Sequence, residues 1–172
     1  MELMVKHYEE LTRDELYEIL KVRVAVFVVE QNCPYQEADG KDLRAYHIFA
    51  QDESGIQGYL RVFQNTEDAR EVFIGRVLTL RRRQGLASQL LAAAIGIARE
   101  QLGAQFITLE AQTYALGLYE KAGFRQVSEE FLEDGIPYPN AAGACLSDRR
   151  EEAWLWRASK EAIFPVTLRN LE

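Results

Sequence analysis

Residues 71–98 read EVFIGRVLTLRRRQGLASQLLAAAIGIA. Glu71 to Leu80 is largely apolar and of strand length, which predicts a central strand. Arg81-Arg82-Arg83-Gln84-Gly85 follows at once. From Leu86 to Gln101 the apolar residues fall at 86, 90, 91, 94, 95 and 98, the spacing of an amphipathic helix that Gly103 ends. A junction of strand, basic loop and helix is an anion site in outline. The helix N-terminus offers unpaired amides and the positive end of its dipole. Gly85 and Ala87 let a backbone approach a phosphate, Arg81, Arg82 and Arg83 add charge, and Ser88 offers a hydroxyl in the first turn. Three adjacent arginines alone would also suit an exposed basic turn. The loop has no Gly-Lys-Ser/Thr, so it is not a nucleotide-triphosphate loop, and with Gly85 alone in the turn it is not a dinucleotide fingerprint. A diphosphate on another carrier remains.

Working outward, Thr12-Arg13-Asp14-Glu15 reads as a capping box, with Leu11 and Leu16 as a hydrophobic staple. A helix is predicted from Arg13 to Val28, stopped before Pro34. Residues 30–44 read as an acidic loop carrying Glu30, Glu37, Asp39 and Asp42. Ala45 to Gln51 and Ile56 to Phe63 form a predicted hairpin around Asp52-Glu53-Ser54-Gly55. Downstream come a strand from Gln105 to Ala111, a short helix from Thr113 to Lys121 and a strand from Phe124 to Phe131. Residues 137–143 read as irregular or as an edge strand, because Pro137 and Pro139 cannot sit in a sheet centre. A last helix is predicted from Ser147 to Ile163. The order predicts a mixed α/β (α+β) sheet with helices on both faces, in a domain of residues 1–146 plus an extension of residues 147–172.

Length and composition bound the function. A chain of 172 residues with 48% hydrophobic and 27% charged residues is one ordinary globular domain. Its net charge of −7 argues against nucleic acid and against a basic membrane-surface protein, so any anion site is local. MELMVKHYEE carries no signal-peptide pattern, and the longest apolar run, Leu90 to Ala98, is nine residues where a membrane span needs about 20. Cys33 and Cys145 make no disulfide framework, and with only His7 and His47 as histidines no metal site is expected. A cytoplasmic, reduced setting follows as the expectation.

Three stretches match one family. Arg82-x-x-Gly85-x-Ala87 resembles the pyrophosphate loop of the GNAT N-acetyltransferases, which bind acetyl-CoA. Gln112-Thr-Tyr-Ala115-Leu-Gly-Leu118-Tyr119-Glu-Lys-Ala-Gly123-Phe124 is similar to a second family segment, with Gln112 where Asn is commoner. Val26 to Tyr35 with Asp39-Gly40, Gly75-Arg76-Val77 and Glu133-Asp-Gly-Ile-Pro137 resemble the ElaA-like subgroup. The resemblance implies a mostly antiparallel GNAT sheet and acetyl-CoA or CoA as co-substrate, with no metal. It implies a cofactor site of Val77, Leu78, Thr79, Arg82, Arg83, Gln84, Gly85, Leu86, Ala87, Ser88 and Gln112.

The implied chemistry is direct acetyl transfer to a primary amine of a small molecule or peptide, in a ternary complex. The amine must lose its proton, the oxyanion needs amide donors, and the thiolate needs a proton. By resemblance Tyr119 is the general acid and an amide near Leu78 the oxyanion donor, where the family splays two parallel strands apart. Glu110 or His47 is the candidate base. Arg76, a charge within an apolar strand, needs a partner, for which Glu110 is a candidate. Tyr35, Glu37, Asp39, Arg76 and Tyr114 are the candidate acceptor-side residues, and the acidic loop would suit a cationic amine. The competing reading is a CoA-binding sensor of the same fold without turnover. No nucleic-acid or membrane partner is expected, and a homodimer is left open.

Overall fold

The computed structural model describes residues 1–31, 36–81, 84–111, 115–126, 131–133, 136–138 and 141–145, with side chains as far as residue 125 except that of Glu110. Strand β1 (Glu2–His7) leads into helix α1 (Arg13–Arg23), then β2 (Tyr46–Asp52), β3 (Gly55–Gln64) and β4 (Glu71–Thr79). Helix α2 (Leu86–Glu100), β5 (Phe106–Glu110), helix α3 (Leu116–Lys121) and β6 (Arg125–Gln126) follow. Then come β7 (Phe131–Glu133), β8 (Ile136–Tyr138) and β9 (Ala141–Cys145). Seven strands form one sheet in the order β1-β2-β3-β4-β5-β9-β6, and β7 and β8 form a separate ladder. Among the described residues only β4 and β5 run parallel, and the other pairings are antiparallel. The expected mixed, mostly antiparallel sheet with helices on both faces is therefore the observed one.

The two faces carry separate cores. Strand alternation sends Ile48, Leu60, Val62, Val72 and Ile74 to one face, where Leu86, Leu90, Leu91 and Ala94 of α2 cover them. Phe49, Tyr59 and Leu78 face the other way, against Ile19 and Val22 of α1 and Val26 and Phe27 beyond it. Gly58 sets how closely α2 can lie on β3. A Cβ there would come within 2.9 Å of Leu86 Cδ2 and of Leu90 Cδ1.

The structure adds to and revises these expectations. The strand β1 was not read from the sequence: it is an edge strand with charges at Glu2 and Lys6 and no clean alternation. Helix α1 begins at the Thr12 box as expected, with Glu15 N–H donating to Thr12 Oγ1 and Thr12 N–H to Glu15 Oε2. It ends at Arg23, and Val24–Glu30 continues as a π-helix, Gln31 N–H reaching back to Val26 O. Valines at 24, 26, 28 and 29 are poor α-formers, and the wider turn keeps Val26 and Phe27 together in the core. Of the predicted strand over Phe124 to Phe131, β6 and the first residue of β7 are described, in separate ladders, and residues 127–130 lie outside the described residues. Last, the stretch 137–143 divides: Pro137 lies in β8, an edge strand of the two-stranded ladder as expected, whereas residues 141–143 belong to β9, which pairs with β5 on one side and β6 on the other. Its Ala-Ala-Gly-Ala-Cys sequence has no β-branched or aromatic residue, so backbone pairing, not side-chain pattern, makes it a strand. Helix α3 is described over Leu116–Lys121, and both the predicted start at Thr113 and the predicted helix from Ser147 to Ile163 lie outside the described residues.

The Gly58 contact yields a stability prediction. Gly58→Val should destabilise the fold by about 1–3 kcal/mol through overpacking against α2, seen as a lower urea midpoint. An unchanged midpoint would mean that α2 has room to move off the sheet.

Candidate functional site

The site begins where β4 breaks its own alternation. Val72 and Ile74 face α2, so Arg76 two residues on should do the same. Instead Arg76 adopts φ +56°, the only positive φ of a non-glycine among the described residues. The register against β3 slips there, Gly75 pairing with Arg61 and Leu78 with Tyr59, so two residues of β4 oppose Leu60 alone. Beyond the bulge Val77 joins the α2 face and Leu78 the α1 face. The conformation costs on the order of 1–3 kcal/mol. It keeps a guanidinium out of the apolar layer beneath α2. The parallel register of β4 with β5 runs from Glu71 opposite Phe106 to Ile74 opposite Leu109 and no further among the described residues. The two strands therefore part company at the bulge.

Arg76 lies instead in a buried ionic lattice on the α1 face. Its Nε donates to Glu37 Oε1 at 2.8 Å, its Nη2 is 3.7 Å from Asp39 Oδ2, and its guanidinium lies 5.9 Å from the Phe27 ring centroid. Arg23 of α1 donates Nε to the same Glu37 Oε1 at 2.6 Å and Nη1 to Asp42 Oδ1 at 2.7 Å. Arg61 of β3 grips Asp39 with both terminal nitrogens and also donates to Asp42 at 2.8 Å. All three arginines are at most 2% exposed. Three positive and three negative charges balance, and removing one partner of such a set typically costs about 3–5 kcal/mol. Burial pushes the Asp39 carboxyl up, but the hydrogen bonds and charge of Arg61, with Arg76 behind, bring it down to about 2. Asp42 is likewise lowered, its burial outweighed by Arg23 and Arg61.

His47 and Tyr59 close the lattice. The Asp42 carbonyl, 3.1 Å from His47 Nε2, can only accept, so Nε2 carries the proton. Nδ1, 2.8 Å from the Tyr59 hydroxyl, then accepts from it. Burial lowers the His47 pKa, and burial pushes the Tyr59 phenol up to about 12. With both ring nitrogens engaged and no exposure, His47 is not placed to take a proton from a substrate amine; the expectation of His47 as base is withdrawn.

The second half of the site lies at the end of β4. Gly85, at φ +70°, is the N-cap of α2, and among the described residues no side chain caps the helix. The first helical bond runs from Gln89 N–H to Gly85 O, so the amides of Leu86, Ala87 and Ser88 precede it. A Cβ on Gly85 would meet nothing within 4 Å. Thr79, the last residue of β4, is 3% exposed, and its hydroxyl has no hydrogen-bond partner among the described residues. An unmade bond of that kind costs about 1–3 kcal/mol, so the position suits a ligand that supplies it. Arg81 turns away from this end, donating to Asp52 and to Ser54. Tyr119 of α3 is fully buried, its ring edge-on to Phe124 at 6.0 Å, in the same core as Ala87 and Leu90.

A strand pair that parts at a bulge, with an uncapped helix following the first strand, corresponds to a known family. Residues 10–140 match the acetyltransferase (GNAT) domain. The chain belongs to the GNAT family. Protein ElaA of Escherichia coli is 36% identical over 136 residues, covering 77% of this chain and 89% of that protein. The crystal structure of E. coli ElaA superposes with a TM-score of 0.77 at 33% identity, covering 83% of this chain and 98% of that one. That of an acyl-CoA N-acyltransferase from Pseudomonas aeruginosa gives 0.75 at 36% identity, covering 84% and 100%. This GNAT domain is thus an acyltransferase fold of the ElaA-like type.

The expected residues divide into three groups. Val77, Leu78 and Thr79 end β4, and Gln84, Gly85, Leu86, Ala87 and Ser88 open α2, on either side of residues 80–83 at the β4–α2 junction. Arg82, Arg83, Gln112, Tyr114, Tyr35 and the Glu110 side chain lie outside the described residues. Glu37, Asp39 and Arg76 do come together, but as members of the buried lattice. That corrects the expectation of an acidic loop drawing a cationic amine, because Arg23, Arg61 and Arg76 neutralise Glu37, Asp39 and Asp42. Among the described residues Arg76 pairs with Glu37 and Asp39, and its expected pairing with the Glu110 side chain lies outside the described residues. Arg23, Arg61 and Asp42 were missed as members of the set. The signal was present: Arg23 falls four residues from Ile19 and from Phe27 on the apolar face, and Arg61 sits between Leu60 and Val62.

The buried neutral histidine predicts a pH dependence of stability. Its folded pKa is below the unfolded value of about 6.5. The unfolded chain therefore binds the extra proton, and stability is complete above about pH 6.5 and falls below it. The shifted carboxylates act lower, below about pH 4. His47→Gln should flatten the slope of unfolding free energy between about pH 5 and 6.5, measured by urea titration. An unaltered slope would mean that His47 is not held neutral.

Proposed function

We propose that the protein transfers an acetyl group from acetyl-CoA to a primary amine of a small molecule or peptide. The observation that carries this reading is the parting of β4 and β5 beyond Ile74 and Leu109, beside the uncapped start of α2. The strands are parallel, so the loop to α2 and the segment to α3 both leave from their C-terminal ends, where α/β sheets bind ligands. The amides of Leu86, Ala87 and Ser88 would hold the pyrophosphate, with Gln84, Arg82, Arg83 and Gln112 beside it. Val77, Leu78 and Thr79 would line the acyl-bearing arm, the Thr79 hydroxyl gaining the partner it lacks among the described residues. The crystal structure described as an acyl-CoA N-acyltransferase, 36% identical, supports the donor class.

In the proposed reaction the neutral amine attacks the thioester carbonyl, forming the N–C bond. The oxyanion takes a hydrogen bond from an amide near Leu78. The C–S bond then breaks, and the thiolate takes the proton of the Tyr119 hydroxyl. A phenol at about 10 and a thiol at about 8.5 differ by roughly 2 kcal/mol, so the transfer is accessible. The ammonium proton leaves to Glu110, directly or through water, and Tyr35 and Tyr114 flank the acceptor. Among the described residues no three His, Cys, Asp or Glu side chains group as a metal site, and no helix is long and apolar enough to cross a membrane. A reduced cytoplasmic setting is part of the same proposal.

The deciding experiment is thiol release from acetyl-CoA across a panel of amines. Amine-dependent release supports transfer; tight CoA binding without release for every amine supports a sensor. Binding has its own test by calorimetry. Gly85→Asp should lower CoA affinity by about tenfold or more, whereas Gly85→Asn, of similar shape and tolerant of positive φ, should lower it less. Equal affinities in all three proteins would remove the pyrophosphate from this junction.

Tyr119→Phe should keep the fold and CoA binding and lower turnover by about 10²–10⁴-fold. With acyl-thioesters of increasingly acidic thiols the defect should shrink, because a better leaving group needs less protonation. A defect independent of thiol pKa would make Tyr119 a positioning group.

A further inference from the structure

The strained residue in β4 and the loop after the π-helix are joined by one oxygen atom. Glu37 Oε1 accepts from Arg76 Nε at 2.8 Å and from Arg23 Nε at 2.6 Å, and the Glu37 carbonyl accepts from Arg23 Nη2 at 2.9 Å. Arg76 is the residue whose φ of +56° makes the bulge, and the parallel pairing of β4 with β5 stops just before it. Regular strand geometry at Arg76 would point its side chain at Leu90 and Leu91 under α2, where no carboxylate is buried among the described residues. The bulge turns it to the opposite face, where Glu37 waits. We propose that Glu37 is a positioning residue for the acyl-donor slot: by pairing with Arg76 it holds the bulge, and the bulge holds β4 and β5 apart.

The link runs from the acceptor-side loop to the donor side of the sheet. Glu37 is held by Arg23 of α1 and Arg76 of β4, and Asp39 by Arg61 of β3, so the loop is tied to the sheet on both sides of Ala38. A carboxylate that merely stabilised the fold would be replaceable at Arg76 without consequence for the slot. A positioning carboxylate is needed only while residue 76 must be forced into a left-handed conformation. Glycine adopts that conformation unaided.

The slot's role as a donor site rests on the proposed function, so the test reads geometry and binding separately. Geometry is read first, by NMR on ¹⁵N,¹³C-labelled protein without ligand. In Glu37→Ala the shifts of residues 75–79 should move toward regular strand values. In Glu37→Ala/Arg76→Gly they should return toward the wild-type pattern, and in Glu37→Gln, which keeps the acceptor oxygen, they should stay near it. Should Glu37→Ala not fold, Arg76→Ala and Arg76→Gly make the same comparison, the bulge being lost in the first and kept in the second. Wild-type shifts at 75–79 in Glu37→Ala, or in Arg76→Ala, would overturn the proposal. CoA affinity by calorimetry should follow the shifts, falling by roughly tenfold to a hundredfold in the alanine variants and recovering with glycine at 76. If the shifts behave as stated while affinity stays constant across the set, the clamp on the bulge stands, and the assignment of the slot to acyl-CoA fails.

Discussion

Everything distinctive about this sheet depends on three arginines that have to be buried. Arg23, Arg61 and Arg76 come from α1, β3 and β4, and each sits at a position where the pattern around it is apolar. None of the three elements can dock without an anion for its guanidinium. The loop between the π-helix and β2 provides Glu37, Asp39 and Asp42, one carboxylate for each arginine. The lattice is electrically neutral and richly hydrogen-bonded, the condition under which buried charge is tolerated. Its consequence is geometric: α1, the loop, β3 and β4 are held in one relative placement on one face of the sheet.

That placement leaves the other face free for a simpler form of packing. Beneath α2 the core is aliphatic, and the close approach at Gly58 seats the helix directly on β3. The start of α2 therefore lies a short loop beyond the end of β4. The ionic face determines where β4 bends, and the aliphatic face determines where the helix N-terminus sits. A donor slot between β4 and β5 would need both, because the thioester end and the pyrophosphate end of one molecule must be gripped at once.

The resemblance to the GNAT family was legible from the β4–α2 junction and the segment around Tyr119, because both depend on local spacing. A loop that must bring amides to a phosphate needs glycine and small residues at set intervals, and those intervals survive in a linear string. The acceptor side was not legible in the same way. Glu37 and Asp39 read as solvent-facing acids, since nothing within a few residues of them reveals Arg23, Arg61 or Arg76. Burial of a charge is decided by partners 14 to 39 positions away, and local pattern carries no information about them. His47 shows the same limit, because its tautomer and low basicity come from the Asp42 carbonyl and Tyr59.

The sequence by itself determined the capped start of α1, the β2–β3 hairpin, the amphipathic α2, the mixed character of the sheet and the glycine at the helix N-terminus. These follow from periodicity, capping chemistry and the φ range of glycine, all of which act over a few residues. Only the tertiary structure decided that β9 enters the sheet between β5 and β6, since its small residues become a strand through ladders on both sides. Only the tertiary structure decided that Arg76 turns away from α2 at a positive φ. An arginine at an inward position can be satisfied by breaking the strand or by leaving it straight beside a new partner. The choice depends on which face holds the carboxylate, and Glu37 is brought to that face by the packing of α1 on the sheet.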